Sequence, residues 1–274
     1  WSATYTAASC SLLDVTAAYN LSSVGDTVSI PAGDCSWSST LNINKKNIIF
    51  KGSGINTTYI RLASPFIGPA VQVTENHVRI TGFTFSCNYQ NTTSRGVVRV
   101  GTNETNPTYE YSDFRIDNNR FIQCDDAGNT GYSAIKLSGF VYGVIDHSTF
   151  DDCTGECIDV CSDGVPAGTL RSTAFGQYTN GTVYIEDNTW NYNHIGYTAE
   201  NAIDGNSASR WVMRHNTFNI GALSRVSALI SNHETCATCS CDATATGDAG
   251  SLVMEIYNNV INNNGTGLNT ANLF

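Results

Sequence analysis

Phe114-Arg-Ile-Asp-Asn-Asn-Arg-Phe121 is the stretch on which the reading of this chain turns. Apolar and polar side chains alternate, the period of a strand with one buried face. A polar pair rich in Asn then turns the chain, and an aromatic residue closes it. The pattern returns at residues 78–85, 143–150, 183–190, 211–218 and 254–261, closing on Phe85, Phe150, Trp190, Phe218 and Ile261. Recurrence at irregular intervals excludes a strict array such as a propeller or leucine-rich repeat. It predicts a solenoid whose coils share short strands and differ in loop insertions.

At the second position of the polar pair stand Asn119, Ser148, Asn188, Asn216 and Asn259. Asn tolerates the left-handed backbone region and can bond its stacked copy, so these residues are expected to form a ladder. His147 and His215 share the turn register of Asn118 and Asn258 and are read as ladder residues too. A second, shorter strand type recurs at residues 70–73, 97–100, 134–137, 157–160, 202–205 and 228–231. Its alignment puts Arg99, Lys136, Asp159 and Asp204 at one outward position on successive coils.

The beginning of the chain differs. Ser11-Leu-Leu-Asp14 has the form of a capping box, opening a helix with Leu12, Val15 and Tyr19 on one face and ending before Gly25. Strands are expected at 27–30, 41–43 and 47–50, with a turn at Pro31-Ala-Gly33 and a break at Gly52-Ser-Gly54. A lone helix followed only by strands suits a lid over the open apolar end of a coil stack. The chain is therefore divided as one domain, with residues 1–35 as cap and first strand and 36–274 as coils.

Composition narrows the partners. Of 274 residues, 41% are hydrophobic and 14% charged, so core material is ample and the surface is mostly uncharged polar. A net charge of −10 repels nucleic acid, and no apolar run is long enough to span a membrane. Ten cysteines argue for an oxidising, extracellular setting. The chain opens on Trp1 rather than Met, read as a secreted form that has lost its signal peptide. Sequons occur at Asn20, Asn56, Asn91, Asn103, Asn180 and Asn264, the acceptors of a glycoprotein.

The stretches Gly25-Asp-Thr-Val-Ser-Ile-Pro-Ala-Gly33, Gly52-Ser-Gly54 and Arg214-His-Asn-Thr-Phe218 resemble secreted right-handed parallel β-helix proteins of the pectate-lyase-like superfamily. The resemblance covers almost the whole chain. It implies an all-β, single-stranded right-handed parallel β-helix of three sheets, with any polysaccharide lying along an outer face. Members include lyases, hydrolases, epimerases, tailspikes and non-enzymatic surface proteins, so it does not choose a chemistry.

The cysteines read as staples. Cys10 and Cys35 bracket the cap and are expected to tie it to the first coil. Cys124 and Cys153 each follow an anchor Phe by three residues and would stack at a distance that suits a disulfide, with Cys87 competing for Cys124. Cys153 with Cys157 is another option, as is Cys161 with Cys236, Cys239 or Cys241. The alternative for that last cluster, with His233, is zinc.

Three functions follow. The first is a non-catalytic extracellular matrix or filament subunit, expected to self-associate head to tail at the solenoid ends and to contact polysaccharide. The second is a Ca²⁺-dependent polysaccharide lyase or epimerase. There Lys136, Arg99 or His233 would be the base, Asp159 and Asp204 would hold Ca²⁺, and all would line one open groove. Otherwise Lys136 and Asp159 pair as a surface ladder. The third is a trimeric, tailspike-like adhesin. Asp125-Asp126 and Asp151-Asp152, with Glu156 and Asp163, offer a further calcium or acid/base site. Of the family's polygalacturonase-type series only the Asp-Asp element has a match, since His147, His194 and His215 lack Gly on both sides.

Overall fold

The computed structural model describes residues 2–63, 66, 68–86, 96–102, 110–122, 124, 133–153, 156–161, 182–193, 198–199, 201–206, 209–221, 225–226, 229–232, 251 and 253–264. Every strand pairing among them is parallel and joins strands from successive passes of the chain. Three long sheets result, beside a small two-stranded one formed by Thr198–Ala199 and Arg225–Val226. Sheet A has nine strands, from Thr4–Thr6 at one end to Val253–Tyr257 at the other. Sheet B has eight, from Gly33–Trp37 to Val260–Asn263, and sheet C seven, from Leu41–Ile43 to Ile230–Asn232. The chain is a parallel β-helix, as the repeat predicts.

The opening stretch turns out to be two strands and a corner. Glu110–Asp117 belongs to sheet A and Arg120–Ile122 to sheet B. Between them, Asn118 sits at φ 52°, and His147, Asp187, His215 and Asn258 hold the same left-handed place at φ 50–57° on later coils. His147 and His215 are thus corner residues with exposed side chains, not ladder residues. The ladder is one position further on, and it faces inward. Asn119 Oδ1 accepts from Phe83 N at 3.0 Å, Ser148 Oγ from Asn119 N at 3.2 Å, and Asn188 Oδ1 from Ser148 N at 2.9 Å. Asn216 and Asn259 continue the series, each accepting from the preceding backbone N–H at 2.9 Å. Each Asn amide also donates to a sheet A carbonyl one coil back, as Asn188 Nδ2 does to Ile145 O at 2.8 Å. The division of labour follows from chemistry: the corner needs a positive φ, while the buried backbone N–H behind it needs an acceptor.

Beside the ladder runs a column of stacked rings. Phe85, Phe121, Phe150, Trp190 and Phe218 occupy one register of sheet B, with centroids 4.7–5.5 Å apart. All are buried, as are Phe114 and Ile116. The spacing is that of neighbouring parallel strands, so the ring column is imposed by the coil pitch.

The helix spans Leu12–Leu21 and lies over the start of sheets A and B. Ser11 Oγ caps it, accepting from Asp14 N at 3.2 Å, and Val15, Ala18 and Tyr19 face the core. Lys45 Nζ closes the other end with bonds to the carbonyls of Tyr19 and Ser22 at 2.6 and 2.7 Å. The expected disulfide Cys10–Cys35 ties this cap to the first strand of sheet B, with Cα atoms 5.8 Å apart.

Candidate functional site

Sheet C carries the line of charge that the sequence aligned. Arg99 pairs in register with Lys136, Lys136 with Asp159, and Asp159 with Asp204. Strand alternation turns these side chains away from the coil interior, because Val98, Val100, Ile135, Leu137, Ile158 and Val160 take the core positions. They are nonetheless not on the surface. Lys136, Asp159 and Asp204 are each at most 1% exposed, and Arg99 is half-buried. The expected surface ladder is a buried one, and the expected open groove is closed at these three residues.

Lys136 Nζ donates to Asp159 Oδ2 at 3.0 Å. Glu156 joins them from the corner preceding strand Ile158–Cys161. One carboxylate oxygen each of Glu156, Asp159 and Asp204 lies within 4.8 Å of the others. This third carboxylate was grouped in the sequence with Asp151 and Asp152, and the structure moves it. Only the bend of the chain at Cys157 brings it to Asp159, and alignment of strand positions carries no signal of that. Cys157 is held there by a disulfide to Cys153, Cα atoms 5.6 Å apart, the second of the pairings considered for Cys153. Cys124 is also disulfide-bonded, and not to Cys153.

Three carboxylates so close suit a hard cation such as Ca²⁺ in ligand type. The Lys136 ammonium already supplies positive charge against Asp159, and a divalent ion would have to share that carboxylate with it. The residues fit a lysine-neutralised acidic cluster better than a calcium cage.

Asp151 and Asp152 have structural partners. Asp151 accepts from Arg120 and, at 2.7 Å, from Asn191 Nδ2. Asp152 sits at φ 49° and accepts from Asn193 N at 2.6 Å. Asp125, Asp126, Asp163, His194, His233, Cys87, Cys236, Cys239 and Cys241, with the sequons at Asn91, Asn103 and Asn180, lie outside the described residues. Cys161 ends its strand on sheet C. Asn20, Asn56 and Asn264 are exposed.

Sheet A bears a second charged lattice that the sequence reading passed over. Arg79 grips Asp117 with two bonds of 2.7 and 2.6 Å, and Arg115 grips Asp146 with two of 3.0 and 2.6 Å. Each arginine reaches diagonally to the carboxylate of the next coil. Arg214 departs from that diagonal: it stands at the carboxylate position of the repeat, bonds back to its register partner Glu186 and forward to the Tyr257 hydroxyl, and lies over the Tyr184 ring. These bonds push the Arg214 guanidinium pKa further up from its already high value. The signal was partial: Arg79 and Arg115 share one position of the repeat, and Asp117, Asp146 and Glu186 share the position two residues on.

Comparison with models of known protein families gives no match, and comparison with curated proteins finds no similar one. Among the described residues no helix is long and apolar enough to cross a membrane.

Proposed function

We propose that this chain is an extracellular structural or surface protein, a matrix or filament subunit built as a stapled β-helix, and not an enzyme. One observation carries the reading. Lys136, Asp159 and Asp204, the aligned series a lyase of this architecture would use, are buried, with Lys136 bonded to Asp159 and Asp204 packed beside them. A catalytic base must reach its proton on the substrate, and a lysine 1% exposed beside a carboxylate does not. The rest of the polar inventory on sheets A and B supports coil stacking: Arg–carboxylate diagonals, an internal Asn ladder and an outer amide ladder from Asp151 through Asn191 and Asn219 to Asn262.

The reading is tested by imaging native particles and by incubating the protein with pectin, alginate and glycosaminoglycans in calcium. Filaments or a two-dimensional matrix with no unsaturated product are expected. Unsaturated sugar products would overturn it in favour of the lyase, and a compact trimer would favour the adhesin.

A further inference from the structure

We propose that Lys136 and Asp159 condense into an amide, an isopeptide cross-link between adjacent coils of sheet C, with Glu156 and Asp204 relaying the proton. The two side chains meet at 3.0 Å between neighbouring strands, Ile135–Ser138 and Ile158–Cys161, on which they are register partners. Both are almost wholly removed from water, at 1% and 0% exposure. Passing one proton from Lys136 Nζ to Asp159 across this contact gives the neutral amine and the neutral acid that react. An amine held against a carboxyl group is a preorganised nucleophile, and fixed proximity replaces the activation that amide formation needs in solution. The third component is a proton carrier, and two further carboxylates stand within 4.8 Å of Asp159's own.

The step balances without a co-reactant. The Lys136 Nζ lone pair attacks Asp159 Cγ, forming the N–C bond. A neighbouring carboxylate takes a proton from the nitrogen and returns it to the departing hydroxyl. The C–O bond breaks and one water leaves. One positive and one negative charge disappear together, so the net charge of the cluster is unchanged. The product joins positions 23 apart in sequence, in a protein already stapled by disulfides at its cap and at the Cys153–Cys157 corner.

The test is the mass of the full chain, made in a host without N-glycosylation and measured after disulfide reduction. It should fall one water short of the sequence mass. Proteolysis should release a branched peptide joining the segments that hold Lys136 and Asp159. Lys136→Arg keeps the charge but offers no such amine, and should restore the full mass. Glu156→Gln with Asp204→Asn should restore it too while the strand signal in circular dichroism persists. Full mass with unlinked peptides in the unaltered protein would overturn the proposal, whatever the variants do. Persistence of the deficit in Lys136→Arg would overturn it as well.

Discussion

Asp117 has no exposed side-chain surface, yet it is held as a carboxylate. Burial pulls its pKa up, but bonds from Arg79 and Asn118 and the charges of Arg79 and Arg115 outweigh that and set it below the ordinary value. A carboxylate depressed in the folded state stabilises the fold above its unfolded pKa of about 3.9, and that stability is lost as pH falls through the folded value. Asp117→Asn should therefore lower stability at neutral pH and flatten the acid limb of an unfolding-versus-pH curve. An unchanged acid limb would place the acid-sensitive group elsewhere. The ladder makes a different prediction. Asn188→Ala leaves the buried N–H of Ser148 and the carbonyl of Ile145 without these partners, at about 1–3 kcal/mol for each unsatisfied group. Chemical denaturation should show that loss with no change in pH dependence, because no charge is removed.

At the scale of the coil, two contacts fix how closely passes approach. One is the ring column, where Phe121 stacks between Phe85 and Phe150 at 5.5 and 5.1 Å. Phe121→Ala should cost about 3–5 kcal/mol by calorimetry or denaturant, since the rigid coil pitch leaves little room for collapse into the cavity. The other is Gly52 against Gly82, where a Cβ on Gly52 would overlap the Gly82 carbonyl oxygen and the Phe83 ring. Gly52→Ala must push two coils apart at that corner, so it should destabilise although Ala normally stabilises a chain relative to Gly. The Gly52-Ser-Gly54 break was legible in the sequence, as were the helix and the strands Thr27–Ile30 and Leu41–Ile43. Strands Thr4–Thr6, Gly33–Trp37 and Thr58–Leu62 were not: the first two are mostly polar, and the third sets Tyr59 and Ile60 side by side, so none alternates cleanly. The register of Lys136, Asp159 and Asp204 could be aligned from the sequence, since parallel coils repeat it. Their burial could not. Alternation gives the direction of a side chain from the coil interior and says nothing of what packs on its outer side.

Across the whole molecule, the large apolar side chains that remain exposed gather at the two ends of the stack. Leu13, Leu21 and Val24 project from the helical cap, while Met254, Tyr257, Val260 and Ile261 lie on the last described strands of sheets A and B; Ile55 is the exception among the described residues. Scattered exposed apolar residues need no explanation, but apolar side chains gathered at both ends of the coil stack suit heterologous contact, cap against last coil. Contact of that kind does not close on itself and builds filaments, the assembly expected of the structural reading. Leu13→Asp with Leu21→Asp should disable the cap alone, and Met254→Asp with Val260→Asp the last coil alone. These positions are exposed, so stability should change little. Each variant by itself should sediment as a monomer where the unaltered protein forms longer species. Mixed in equal amounts, the two should give a dimer and nothing larger, because each retains one working end. Dimers from one variant alone would mean that like ends pair. If the unaltered protein is monomeric at every concentration, end-to-end assembly is excluded, while the buried charge ladder still argues against the lyase.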